Sequence, residues 1–148
     1  MVKLLDVTGK LSVQVQPSDE VARLLGEADP GKNEGWVALG EGKVHVGFKE
    51  DACADEIREK PEETPLKLNE FRAEFLDTFM IPAGTVHFAE NSRFLEVSTN
   101  SNITYRVFDF EGRQVQLEKA IRAMKFSRSR ESDVRGGKGR LEMAEFGV

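Results

Sequence analysis

The chain has 148 residues, 32% of them charged, and a net charge of -5. This length predicts one domain with its own core, and the charge balance does not favour nucleic acid or an anionic membrane as a partner. The single cysteine excludes an internal disulfide, no run approaches the ~18 apolar residues of a membrane span, and the N-terminal MVKLLDVTGK is too polar for a signal peptide. We therefore expect one cytoplasmic domain.

Short runs of strand-forming residues recur along the chain, separated by turn-forming sequences such as DPGKN, GEGK and PAG. The runs are VKLLDV, LSVQVQ, GWVALG, KVHVGF, LKLNEF, TFMIPA, TVHFAE, RFLEVS and TYRVFDF. Many short strands at this spacing predict an all-β sandwich or barrel.

The second run, LSVQVQP at residues 11–17, alternates strictly between apolar and polar residues. Such a strand directs its leucine and two valines to one face and Ser12, Gln14 and Gln16 to the other. A polar face of this kind is usually solvated. The alternative is that it lines the inside of a barrel and helps to bind a ligand there.

Three segments are predicted to be helical. Residues 18–26 begin with Ser18 as a plausible N-cap, and residues 51–60 begin with Asp51 in the same role. A third helix is predicted within VQLEKAIRAMKF, residues 115–126.

The composition changes towards Ser, Arg and Gly after residue 126, which divides the chain into a domain at 1–126 and a tail at 127–148. A flexible, solvated end is the simplest interpretation of this basic tail. It is favoured over a nucleic-acid arm because no aromatic residue is interleaved with the charges. The alternative is that RLEMAEF, at 140–146, forms a late strand that pairs with the barrel or with a second subunit.

Few residues can carry acid–base or metal chemistry. The two histidines, His45 and His87, cannot be separated by spacing alone, and a lone histidine is more often structural than a metal ligand. Glu34 leads into a strand and is expected to be solvated. Glu96 lies among apolar neighbours, where it either faces solvent or lies inside the barrel with a raised pKa. Arg106 is suited to binding an anion.

Four segments in this order, KLSVQVQPSDE, GKNEGWVAL, IPAGTVH and LEVSTNSNITYRVFDF, resemble the type I mannose-6-phosphate isomerases, which are zinc enzymes of the cupin fold. The resemblance covers roughly residues 3–126. It implies an all-β cupin barrel, a double-stranded β-helix or jelly roll, with a few short helices. It also implies a shortened, single-cupin form that begins well inside the family's sequence and ends before its second half.

The resemblance implies one divalent metal ion per chain, bound by Gln14, Gln16, Glu34 and His87. Gln16 stands where the family has a histidine ligand. Because an amide oxygen is a poorer zinc donor than imidazole nitrogen, we expect weaker zinc binding or tolerance of Co²⁺, Mn²⁺ or Ni²⁺.

For the substrate, the resemblance assigns Ser12 and Lys32 to the phosphate, Glu96 to acid–base catalysis, and Arg106 to a catalytic and substrate-binding role. The implied reaction is the metal-dependent interconversion of mannose 6-phosphate and fructose 6-phosphate, or a related pair, through an enediolate. The alternative is a non-catalytic cupin that binds a sugar or sugar phosphate. The barrel edge left by the missing half predicts a homodimer.

Overall fold

The computed structural model of the chain describes residues 1–141. This part of the chain contains eight strands, four α-helices and one 3₁₀ helix, of which the 3₁₀ helix and the last α-helix are not predicted from the sequence. The strands are β1 (Val2–Lys10), β2 (Val13–Val15), β3 (Glu34–Ala38), β4 (Gly42–Phe48), β5 (Leu68–Ala73), β6 (Thr78–Ile81), β7 (His87–Ser98) and β8 (Tyr105–Phe108). The α-helices are α1 (Asp19–Leu24), α2 (Ala54–Glu59), α3 (Leu117–Ala123) and α4 (Glu131–Val134), and the 3₁₀ helix is Pro61–Lys67.

Strand β7 organises the antiparallel sheet. Its first residues pair with β2 and β4, and the residues from Ser92 onward pair with β1 and β3. The sequence predicts two strands here, TVHFAE and RFLEVS, whereas the structure has one. Asn91, at the junction, adopts a left-handed conformation with φ of 40°, and the pairing continues on both sides of it.

The two faces of β2 differ as its alternation predicts. Val13 and Val15 are fully buried in a core that also contains residues of α1, α2 and α3. Gln16 points the other way and makes its contacts with Glu34 and Thr104. The short helices therefore cover the apolar side of this strand, and its polar side remains for the interior of the barrel.

The helix starts are confirmed in one case and wrong in another. Ser18 caps α1, since its Oγ accepts a hydrogen bond of 3.2 Å from Val21 N–H. The second helix begins only at Ala54, with Cys53 as N-cap and no side-chain cap bond. Asp51 is engaged elsewhere, because its Oδ1 accepts a bond of 2.8 Å from Arg128 N–H.

Residues 127–141 pack against the sheet. Ser129 N–H donates to Phe48 O, the Val134 side chain is 2% exposed, and Arg135 forms an ion pair of 3.0 Å with Asp77. Residues 142–146 of the candidate late strand RLEMAEF lie outside the described residues. The domain boundary at residue 126 stays a prediction.

The helices are also short compared with the thickness of a membrane. Among the described residues, every helix is too short or too polar to cross a bilayer.

Candidate active site

The candidate site lies where β3 and β7 pair. Glu34 is directly opposite Ser98, and Trp36 is directly opposite Glu96. Residues two apart on a strand share a face, and directly opposite residues in an antiparallel pair do the same. These four residues, which we call the β3–β7 block, therefore present their side chains to the same side of the sheet. All four are buried, with 1–5% of their surface exposed.

Strand β2 brings its polar residues to the same site. Gln14 pairs with His87 across the β2–β7 ladder, so the two side chains leave the sheet on one face. The Gln16 Nε2 donates to Glu34 Oε1 at 3.1 Å and to Thr104 Oγ1 at 3.4 Å. Gln16 is 1% exposed, so these bonds fix a carboxamide that would otherwise lack partners.

A buried lysine joins the two glutamates. Lys32 Nζ lies 2.6 Å from Glu34 Oε1 and 3.3 Å from Glu96 Oε1, and the three side chains are 5% exposed or less. Burial alone would lower the pKa of Lys32, but the two carboxylates together raise it above its usual range. One ammonium group therefore faces two carboxyl groups inside the barrel.

Glu34 stays ionised despite its burial. Burial alone would raise its pKa, but a His87 ring protonated on both nitrogens, together with the ammonium group of Lys32, holds the pKa below its usual range. An ionised Glu34 with its Oε2 free of hydrogen bonds favours the binding of an additional cation.

His87 has one nitrogen engaged and one open. Its Nδ1 lies 2.8 Å from Thr85 O, a carbonyl that only accepts, so Nδ1 carries the proton and Nε2 presents its lone pair. Nε2 is 3.4 Å from Glu34 Oε2, and both atoms are buried without a hydrogen-bond partner. A backbone carbonyl that fixes the tautomer in this way is typical of metal-binding histidines.

The donor set fits a divalent cation in part. Glu34 Oε2 and His87 Nε2 are strong donors that face each other with nothing between them to satisfy either. In the described part of the chain, no group of three or more His, Cys, Asp or Glu is placed to bind a metal. Any further ligands must therefore be weaker oxygen donors, the role that the resemblance implies for Gln14 and Gln16.

Two of the predicted substrate residues lie apart from these contacts. Ser12 is buried at the start of β2, two residues before Gln14. Arg106 is opposite Gln14 in the β2–β8 ladder, but its Nη1 donates to Gln114 O at 3.4 Å. Lys32, in contrast, lines a surface cavity of about 320 Å³ together with Asn33 and Lys125.

His45 belongs to a different cluster. Its Nε2 is 2.8 Å from Glu90 Oε1, and its ring stacks on Phe88 with 4.0 Å between ring centroids. His45 is not among the ligands that the resemblance implies, and these two contacts suit a structural role.

Sequence reasoning missed four residues that shape the site. Trp36 and Ser98 complete the β3–β7 block, the Thr85 carbonyl orients His87, and Thr104 supports Gln16. The alternation of β3 and β7 was the available signal for the first two, since Trp36 follows Glu34 by two residues and Ser98 follows Glu96 by two.

The chain is similar to mannose-6-phosphate isomerases in sequence and in structure. The mannose-6-phosphate isomerase ManA of Bacillus subtilis is 33% identical over 134 residues, which are 82% of this chain and 42% of the relative. A mannose-6-phosphate isomerase of Streptococcus mutans is 32% identical over 124 residues, 80% of this chain and 39% of the relative. The solved B. subtilis mannose 6-phosphate isomerase is 26% identical with a TM-score of 0.75, over 84% of this chain and 43% of that chain. No family model matches.

The antiparallel sheet with a polar inner face and a few short covering helices is a cupin fold, as in that solved structure. Within that class, the chain is similar to the mannose-6-phosphate isomerases over about four fifths of its own length. It spans about two fifths of the length of the curated relatives that it matches.

Proposed function

We propose that the protein is a metal-dependent isomerase that interconverts mannose 6-phosphate and fructose 6-phosphate, or a related aldose–ketose pair. One observation carries the proposal: Glu34 Oε2 and His87 Nε2 are buried, 3.4 Å apart and unsatisfied, beside the Lys32–Glu96 pair. A base, a fixed cation and two free metal donors thus meet in one buried place, as proton transfer next to a carbonyl requires.

Gln14, Gln16, Glu34 and His87 are the residues that we propose to hold one Zn²⁺, Co²⁺, Mn²⁺ or Ni²⁺ per chain. When bound, such an ion supplies Lewis-acid polarisation of the oxygens on C1 and C2 of the opened sugar. To offer its carbonyl oxygen, Gln16 must rotate its carboxamide and give up the bond to Glu34 Oε1. This competition predicts weaker metal binding than a histidine would give.

Glu96 is the proposed acid–base group. Its Oε1 is buried without a hydrogen bond and lies 3.3 Å from Lys32 Nζ, so the carboxylate is held in place but can still accept a proton. It would remove the C2 proton of the aldose and return it to C1, while a second proton passes from O2 to O1. The intermediate of this proton transfer is an enediolate, whose negative charge Arg106 would stabilise.

The phosphate is proposed to bind to Lys32 and Ser12, and Arg106 to fix the substrate near the reacting carbons. Lys32 is suited to this because it lines the surface cavity and also reaches the buried glutamates. Arg106 would have to exchange its long 3.4 Å bond to the Gln114 carbonyl for the substrate, which is favourable once the substrate oxygen becomes negatively charged and both partners carry charge.

The test is a coupled assay from mannose 6-phosphate to fructose 6-phosphate, on protein purified without chelator and analysed for metal. We expect turnover that chelation abolishes and that Zn²⁺, Co²⁺ or Mn²⁺ restores. Inactivity with every added ion would contradict the proposal. If that inactive protein still bound mannose 6-phosphate, it would be a non-catalytic cupin that binds sugar phosphates.

We also propose a cytoplasmic homodimer that forms along β1. This strand pairs with β7 on one edge, and among the described residues no strand pairs with its other edge. Val2 and Leu4 on this strand are 63% and 65% exposed. A nine-residue free edge with exposed apolar side chains is a template for antiparallel pairing with a second copy. Sedimentation equilibrium that gave the mass of one chain would contradict the dimer.

A further inference from the structure

Buried polar atoms without a hydrogen bond are concentrated at one place in the described part of the chain. Six such side-chain atoms occur there, and five of them belong to β3 and β7. The five are Glu34 Oε2, Trp36 Nε1, His87 Nε2, Glu96 Oε1 and Ser98 Oγ. Because folding normally satisfies buried polar groups, a cluster of exceptions indicates a place prepared for a polar ligand.

Two of the five atoms have no role in the proposed metal and acid–base chemistry. These are the indole N–H of Trp36 and the hydroxyl of Ser98, which form one diagonal of the β3–β7 block. The other diagonal consists of Glu34 and Glu96, the two carboxylates that Lys32 joins. The unused donor groups are therefore direct neighbours of the reacting groups.

Packing fixes the position of the indole. The Trp36 ring stacks on Phe94, with 5.0 Å between centroids, and lies edge-on to His87 at 5.4 Å. With 1% of the residue exposed, the ring cannot turn its N–H to solvent. The N–H is an uncharged donor on a ring that is held in contact with the His87 imidazole.

The backbone fixes Ser98 in a similar way. Its N–H and C=O both pair with Met1, and the residue is 5% exposed. Its hydroxyl can rotate and can both donate and accept, so it adapts to a ligand hydroxyl in either role.

We propose that Trp36 Nε1–H and Ser98 Oγ bind hydroxyl groups of a polyhydroxylated ligand in the β3–β7 block. The inference rests on the proposed function for the choice of a sugar phosphate as that ligand. Uncharged donors suit hydroxyl groups, and neither residue lines the cavity of Lys32, where the phosphate is proposed to bind. The two residues therefore recognise the sugar part of the ligand, and loss of either should leave the affinity for inorganic phosphate unchanged.

The experiment compares Ser98→Ala and Trp36→Phe with Thr64→Val, using metal-loaded protein. Thr64 is the matched control, because its Oγ1 is the sixth unpartnered buried atom and lies in the 3₁₀ helix away from the block. Titration calorimetry with mannose 6-phosphate should show about 5-fold weaker binding for each block variant and unchanged binding for Thr64→Val. Inorganic phosphate should bind all four proteins equally.

Thermal stability separates a ligand role from a structural one. Removing an unsatisfied hydroxyl should leave the melting temperature of Ser98→Ala equal to or above that of the wild type, even as ligand binding weakens. Trp36 is also the only tryptophan of the chain, so its fluorescence should change on addition of mannose 6-phosphate. This signal needs no variant, and it stays informative if Trp36→Phe fails to fold.

The outcomes distinguish this inference from the proposed function. An active enzyme with unchanged tryptophan fluorescence and wild-type affinity in Ser98→Ala would overturn the inference alone. An inactive protein that binds mannose 6-phosphate through both residues would overturn only the proposed catalysis. No heat and no fluorescence change with this ligand would overturn both.

Discussion

The two histidines of the chain occupy opposite kinds of site. His45 is 5% exposed, bonds to Glu90 through Nε2 and stacks flat on Phe88. His87 is completely buried, and its Nε2 has no hydrogen-bond partner. The more deeply buried ring is thus the one with an unsatisfied nitrogen.

This difference follows from what each histidine does. A buried polar atom without a partner costs about 1–3 kcal/mol, so a ring that serves packing is expected to be fully satisfied, as His45 nearly is. The cost of leaving His87 Nε2 without a hydrogen bond is recovered only when a ligand binds to this nitrogen. The carboxylates follow the same division, since Glu90 pairs with His45 while Glu34 Oε2 and Glu96 Oε1 lack hydrogen bonds.

The largest effect is expected from replacing a glutamate by glutamine at each of the two histidine sites in turn. Glu96→Gln should lower kcat by about 10²–10⁴-fold, because the amide cannot accept the substrate proton. Its metal content should equal that of the wild type. Glu90→Gln, beside His45, is the matched control and should keep kcat. Steady-state kinetics gives the kcat of the two variants, and elemental analysis gives their metal content. Equal loss of turnover in both would refute the claim that only the His87 site is catalytic.

The histidines themselves provide the next comparison. His87→Gln should weaken zinc binding by at least about 10–100-fold, which is the loss typical even of an outer-shell partner. His45→Gln should keep the zinc affinity and lower the free energy of unfolding by about 1–2 kcal/mol through loss of the Glu90 bond and the stack on Phe88. Competition with a chromogenic chelator and urea unfolding measure the two effects. Equal zinc affinities in the two variants would rule out His87 as a ligand.

A substitution at Gln16 is expected to increase both zinc affinity and activity. Gln16→His should raise zinc affinity by about 10-fold and raise activity with it, since imidazole is a better zinc donor than an amide oxygen. Gln114→His, on an exposed side chain, controls for an added histidine. If Gln16→His changes neither quantity, the residue does not reach the metal.

The smallest effect concerns the pH dependence of stability at His45. Burial lowers the pKa of His45 below its ordinary value of 6.5, and the bond to Glu90 offsets only part of this shift, with Glu70 and Lys43 also nearby. The unfolded chain therefore binds more protons than the folded one below pH 6.5. The free energy of unfolding should rise with pH from the folded pKa up to about 6.5, and His45→Gln should flatten that part of the curve. Urea unfolding at a series of pH values tests this, and identical slopes in the two proteins would contradict it.

The fold could be predicted largely from alternation and turn signals. The polar and apolar faces of LSVQVQP and the Ser18 cap are where the pattern places them. The merging of two predicted strands into β7 could not be anticipated, because it depends on Asn91 adopting a left-handed conformation without breaking the ladder. Asp51 was mistaken for a cap because its partner, Arg128, is distant in sequence.

The site was less accessible to sequence reasoning. Alternation places Trp36 on the face of Glu34, but only the register between β3 and β7 brings it opposite Glu96. That register joins residues about sixty positions apart and is set by the whole sheet. The resemblance indicated Lys32 and Glu34 as site residues, but their direct contact and shared burial with Glu96 are properties of the folded chain.

The central claim is that His87 and Glu34 share a metal ion and His45 and Glu90 do not. Anomalous diffraction at the zinc edge, from crystals of the zinc-loaded protein, tests it most directly. The account predicts one peak about 2.0–2.2 Å from both His87 Nε2 and Glu34 Oε2. A zinc peak at His45 and Glu90, with none beside His87, would contradict it.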